Sequence, residues 1–158
     1  MDEKARALEE LYRTRYSRFL NTLATITGSR DRAHDAVQET FARAFAGRDR
    51  WRGDSSLETW VWSIGLRTAL GLRGELAEAH LNGSFDPGLV DPQRDPLLTE
   101  ALRALPPKRR LVVFLRYFAD LSYGDIGRVC GISEGTVAAT LAQARESLER
   151  ALAEAEVT

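Results

Sequence analysis

The chain has 158 residues, 44% hydrophobic and 28% charged, with 22 basic and 23 acidic side chains and a formal net charge of −1; this is the composition of one medium or two small globular domains and excludes a polycation. Apolar runs fall short of the ~20 residues that span a bilayer, and the start Met1-Asp2-Glu3-Lys4 lacks the apolar stretch of a signal peptide, so a cytoplasmic location without membrane insertion is expected. A single cysteine, Cys130, and two widely separated histidines, His34 and His80, exclude an internal disulfide and a Cys/His zinc site, and neither metal nor cofactor is expected.

Ala, Leu, Arg and Glu dominate outside residues 87–107, where all five prolines lie. Strong helix formers without period-2 alternation predict an all-α fold. The first helix runs from about Lys4 to Thr25, with Leu8, Leu11/Tyr12, Tyr16, Phe19/Leu20 and Leu23 on one face, and Gly28 stops it. Ser29 or Asp31 caps a second helix over 30–46 with Ala33, Ala36/Val37, Thr40/Phe41 and Ala44/Phe45 inward, ended by Gly47. A polar loop, Arg48–Asp54, follows. Ser55 with Glu58 forms a capping box for a third helix whose stripe is Leu57, Trp60/Val61, Ile64 and Thr68.

Residues 75–96 carry three prolines, two glycines and five acids against one base, the mark of a linker, with 75–81 able to continue as helix. Its net charge of −4 separates a +3 segment, residues 1–74, from a neutral one, residues 97–158. Beyond it, Leu98, Ala101/Leu102 and Leu105 define a short helix, and Pro106-Pro107 restarts the chain into a helix lined by Leu111, Phe114/Leu115 and Phe118. Ser122 and Asp125 form a capping box before Ile126, Val129 and Cys130. Gly131-Ile132-Ser133 then leads into a long helix with Val137, Leu141, Ala144, Leu148 and Leu152 on one side. A short helix, a glycine turn and a capped second helix make the helix-turn-helix layout, with Gly127 small at the close approach and Ile126, Val137 and Leu141 buried. Two small helical domains, 1–74 and 97–158, joined by the acidic Pro/Gly-containing linker 75–96, are the expected organisation.

No phosphate-cradling glycine loop or nucleophile–histidine–acid set is present, so an enzyme is not expected. His34 reads as a solvated surface residue and Cys130 as a small core filler. Arg43, Arg48, Arg50 and Arg52 crowd around Phe45 and Trp51, with Trp60 and Trp62 close behind. Cations interleaved with aromatics suit single-stranded nucleic acid; the plain alternative is a helix–helix loop with core tryptophans. Trp60 is read as core and Trp51 is left open between the two. Asp35, Gln38 and Glu39 share an outward helical face, either a solvated acidic surface or a docking surface for a basic partner.

Several motifs then occur in a fixed order. They are Asp35-Ala-x-Gln-Glu-x-Phe41, the run from Trp51 through Gly53, Ser55-Ser56-Leu57 and Thr59-Trp60-Val61, Leu105-Pro106-x-x-Arg109, and Leu121-Ser122-Tyr123-x-Asp125-Ile126-Gly127 followed by Gly131-Ile132-Ser133-x-Gly135-Thr136-Val137. Over nearly its whole length the chain resembles the extracytoplasmic-function (ECF) sigma factors of bacterial RNA polymerase. The resemblance implies a subunit that directs the core enzyme to specific promoters. The alternative is a sigma-like adaptor or decoy that binds polymerase or an anti-sigma protein without reading DNA.

The resemblance also assigns residues. Asp35, Gln38 and Glu39 would dock on the clamp helices of the β′ subunit. Arg48, Arg50, Trp51, Arg52, Ser55 and Arg67 would recognise and melt the minus-ten element. Lys108, Arg109, Arg110, Ser133, Thr136, Ala138, Ala139, Thr140, Gln143 and Arg145 would serve the minus-thirty-five element, the first three as candidate phosphate anchors. The C-terminal domain would also rest on the β flap, an anti-sigma factor would be a further partner, and the acidic linker would thread the RNA exit path in imitation of RNA or act as a plain tether. A single globule of this length has a radius of gyration of about 15 Å, whereas a spacer of roughly 17 base pairs spans about 58 Å; a linker of about 22 residues reaches roughly 70 Å and bridges the difference. The recognition helix departs from the family pattern, because Ala138, Thr140 and Gln143 stand where basic residues are usual. Arg67 replaces a common asparagine and Gly71 a common aspartate. The isolated C-terminal domain is therefore expected to bind DNA weakly.

Overall fold

The computed structural model describes residues 1–70 and 95–157. Among them are seven α-helices and no strand: α1 (Glu3–Thr27), α2 (Arg30–Ala46), α3 (Leu57–Leu70), α4 (Pro96–Ala104), α5 (Pro107–Tyr117), α6 (Tyr123–Cys130) and α7 (Glu134–Val157), with a 3₁₀ turn at Arg48–Arg50 between α2 and α3. The expectations for the linker up to residue 94, including the helix over 75–81 and the role of Gly71, lie outside the described residues.

Local chemistry sets most boundaries. Asp2 caps α1 by accepting from the Ala5 amide, and Gly28, at φ 75°, ends it in the left-handed conformation that glycine adopts without a Cβ penalty. Ser29 caps α2 by accepting from Arg32 N. The cap of α3 is Ser56, whose Oγ accepts from Thr59 N at 3.1 Å, and not Ser55 as expected. Glu58, freed from a capping box, instead meets Arg15 at 3.3 Å and the Trp62 indole at 3.4 Å. Ser122 caps α6 as expected, accepting from Asp125 N at 3.1 Å.

α1, α2 and α3 pack around an aromatic cluster. Phe19 stacks on Trp62 with centroids 4.0 Å apart, and Phe41 meets Phe19 and Tyr12 edge-on at 5.3 and 5.1 Å. The buried side of α3 is Thr59, Val61, Trp62, Gly65, Leu66 and Leu70. The expected stripe was thus rotated by about one position: Trp62 is the core indole, and Trp60 is only half-buried.

In the second unit, α5 is enclosed along Leu111–Leu115, and α6 and α7 meet across Gly131 at φ 71°. Ile126, Val137 and Leu141 are buried there as expected. A Cβ on Gly127 would sit 2.7 Å from the Ile132 carbonyl oxygen, so the close approach is to the turn's backbone. α3 packs against α6 and α1 reaches α5, so the two units touch and their apolar interiors run together. No helix among the described residues is long and apolar enough to cross a membrane, and no cluster of three or more His, Cys, Asp or Glu among them could hold a metal ion.

Candidate nucleic-acid interface and docking face

On α2 the spacing 35, 38, 39 places Asp35, Gln38 and Glu39 on one exposed face, opposite buried Val37 and Phe41. Gln38 Nε2 donates to the Tyr12 hydroxyl at 2.7 Å, fixing its amide against α1. Glu39 pairs with Arg43 one turn on, at 2.6 Å. Asp35 and Glu39 also line a cavity of about 340 Å³ with Arg32, where α3 ends at Leu70.

The arginines of the second candidate site divide into two sets. Arg50 from the loop and Arg67 from α3 converge with Arg43 around Trp60 and Ile64, lining a concavity of about 400 Å³. Trp60, Ile64 and Arg67 recur at helical spacing, so one face of α3 supplies the floor and a rim cation. That spacing was legible in the sequence, although reading Trp60 as core hid it. Arg52 is exposed in the loop.

Arg48 and Trp51 are instead turned toward the protein. Arg48 Nε donates to Asp2 Oδ2 at 2.9 Å, its NH1 donates to the Phe45 carbonyl at 2.7 Å, and its guanidinium lies 4.4 Å from the Phe45 ring centroid. The Trp51 indole donates to the Ser55 carbonyl at 3.0 Å, and the Trp51 carbonyl accepts from Lys4 Nζ at 2.8 Å. Ser55 thus contributes its carbonyl to the loop's internal bonding, and its hydroxyl donates to the Ser56 carbonyl. The amide of Ala5 and then the Arg48 guanidinium hold the Asp2 carboxyl below its ordinary range. Neither Asp2 nor Lys4 was singled out in the sequence, because both contacts span more than 40 residues.

The third candidate site also divides. Lys108 is exposed and Arg109 half-buried at the start of α5, but Arg110 is buried. Its guanidinium donates to the Arg103 carbonyl at 3.1 Å, closing the end of α4, and burial lowers its pKa. The expectation that Arg110 anchors a phosphate is corrected accordingly. On α7, Thr136, Ala139, Thr140 and Gln143 fall three, four and seven apart and share an outward face. Ser133 caps the helix, its Oγ accepting from Thr136 N at 3.0 Å. Ala138 and Arg145 lie two turns apart on another flank. Arg145 there engages Tyr117 and lines an apolar groove of about 490 Å³ between α4, α5 and α7, with Leu98, Leu102, Phe114 and Leu148.

Cys130 is buried, and its thiol is pushed up to about 12. His34 is exposed, as read, and its Nδ1 meets the Tyr16 hydroxyl.

Residues 11–72 match the family described as Sigma-70 region 2, and residues 96–148 match Sigma-70, region 4. The chain is 30% identical to the RNA polymerase sigma factor YlaC of Bacillus subtilis, covering 91% of each chain. It is 31% identical to the ECF RNA polymerase sigma-E factor of Haemophilus influenzae, covering 86% of this chain and 82% of that one. Its fold is similar to that of CnrH solved in complex with the cytosolic domain of CnrY, with a TM-score of 0.71 at 22% identity over 94% of this chain and 89% of that one.

Proposed function

This chain belongs to the ECF sigma factors of RNA polymerase, and on that premise we propose how its surfaces divide promoter selection. As a sigma factor it directs the core enzyme to specific promoters for transcription initiation. The chain acts in the cytoplasm, and RNA synthesis belongs to the polymerase. Residues 1–74 form the minus-ten domain and 97–158 the minus-thirty-five domain, with 75–96 as the link.

The observation that carries this division is the concavity where Arg43, Arg50 and Arg67 surround Trp60 and Ile64. An aromatic floor ringed by cations stacks a base while Arg50 and Arg67 hold the flanking phosphates, Arg43 being already paired with Glu39. Its arginines come from α2, the loop and α3, so the fold itself assembles the site. The exposed Asp35/Gln38/Glu39 face docks on the β′ clamp helices, and the groove beside Arg145 receives the β flap. An anti-sigma protein is the further partner, in keeping with the anti-sigma factor NepR bound to the similarly folded sigma factor RpoE of Bartonella quintana. Reaching both promoter elements requires the α3–α6 contact to part, since one packed body of about 15 Å radius of gyration cannot span them.

Run-off transcription with purified core enzyme on promoter fragments tests the reading. The chain should confer promoter-specific transcripts. Asp35→Ala with Glu39→Ala should abolish co-purification with core at unchanged helicity. Arg50→Ala with Arg67→Ala should leave core binding intact while permanganate-reactive thymines disappear from the minus-ten region. Transcription that ignores promoter sequence would refute the function, and unchanged melting in the arginine pair would refute the site.

A further inference from the structure

The loop after α2 is held by side chains far from it in sequence. Asp2 uses one carboxylate oxygen to accept from Ala5 N at 2.7 Å and the other to accept from Arg48 Nε at 2.9 Å. Lys4, in the first turn of the helix that Asp2 caps, donates to the Trp51 carbonyl at 2.8 Å, with its ammonium 6.0 Å from that indole's centroid. The first turn of α1 thus grips both ends of the Arg48–Trp51 segment. Arg48 is held at Nε by the carboxylate and at NH1 by the Phe45 carbonyl, against the Phe45 ring. Arg50 and Arg52, between and beyond the two grips, are exposed.

We propose that Asp2 and Lys4 are positioning residues for promoter melting: they clamp Arg48 and Trp51 as the fixed ends of the strand-contacting loop, so that Arg50 and Arg52, and not Arg48, meet the phosphates. This rests on the reading of the loop as a strand contact. A carboxylate paired with Arg48 also repels a phosphate approaching it. Holding the loop before DNA arrives removes the ordering cost that a free loop meets on binding.

Each arginine that neutralises a phosphate contributes about one to the salt slope of DNA binding. In holoenzyme on a promoter, Arg50→Ala and Arg52→Ala should each lower that slope by about one. Arg48→Ala should leave the slope unchanged while permanganate reactivity falls severalfold. Asp2→Asn keeps an equally good helix cap but loses the ion pair, so it should steepen the slope by about one with core affinity intact. The clamp is read separately in the free full-length chain: Asp2→Asn and Lys4→Met should speed tryptic cleavage after Arg50 and Arg52 severalfold without changing helicity. Unchanged cleavage in both variants, or an Arg48→Ala slope reduced as much as that of Arg50→Ala, overturns the clamp. Faster cleavage with no slope change in any arginine variant overturns the strand-contact reading, and the positioning role with it.

Discussion

Three glycines of the helix-turn-helix separate steric demand from helix propensity. A Cβ on Gly124 or Gly135 meets its nearest neighbours at 3.8 and 3.9 Å, which is ordinary contact. On Gly127 it falls 2.7 Å from the Ile132 carbonyl, where even a favourable C–H···O contact needs about 3.3 Å, so the turn must retreat by roughly 0.6 Å. That oxygen belongs to backbone, which no rotamer change can move aside, and Ile132 N itself donates to Gly127 O at 3.0 Å. Overpacking of this kind costs about 1–3 kcal/mol, and replacing glycine by alanine at a compatible site gains about 0.4–1 kcal/mol. Gly127→Ala should therefore destabilise by up to about 2.6 kcal/mol, whereas Gly124→Ala and Gly135→Ala should stabilise by up to about 1 kcal/mol. At about 2–4 °C per kcal/mol for a chain of this size, thermal unfolding separates the two outcomes in one experiment. The retreat would also displace Ser133, the cap of α7, so minus-thirty-five affinity should fall in Gly127→Ala alone. Equal stabilisation by all three alanines would refute the steric argument.

The split of α7 into two flanks makes the charge-restoring substitutions unequal. Gln143→Arg should tighten promoter binding and steepen its salt dependence by about one, while Ala138→Lys should leave the slope near its starting value; equal effects in holoenzyme binding titrations would contradict the assigned face. With its thiol at about 12, Cys130 should resist alkylation at pH 8 in the folded chain and react promptly in denaturant. Its folded pKa lies above the ordinary thiol value of 9.0, so this group's contribution is fully present below pH 9 and is lost as the unfolded thiol ionises at higher pH. Mass-spectrometric labelling across urea and pH checks both statements.

Where the physics is local, the sequence was sufficient. Asp125 N finds the hydroxyl of Ser122, three residues earlier, and Gly28 and Gly131 sit at the left-handed positions that end their helices, while the cap of α2, open between Ser29 and Asp31, is Ser29. α3 shows where local reading loses resolution. Its face is apolar nearly all round through Trp60, Val61, Trp62 and Ile64, so periodicity could not say which indole faces inward, and the adjacent Ser55 and Ser56 were equally good caps. Phe19 decides the first question by stacking on Trp62 from another helix. Arg110 was illegible for a related reason. In a run of three basic residues only the tertiary position of the Arg103 carbonyl shows which one turns inward. The Asp2–Arg48 and Lys4–Trp51 contacts connect residues brought together by the α1–α2 hairpin, and no spacing rule reaches that far.

The three tryptophans occupy three settings, and this gives the chain its own optical reporters. Trp62, wholly buried and stacked on Phe19, should emit at short wavelength and follow unfolding of the first unit. Trp51 is half-buried with its indole bonded to Ser55, so its emission follows the loop. Trp60 floors the arginine-lined concavity, where a stacked base would quench it. Folding, loop release and strand capture therefore fall on different indoles, and phenylalanine at two of the three positions would isolate the signal of any one event.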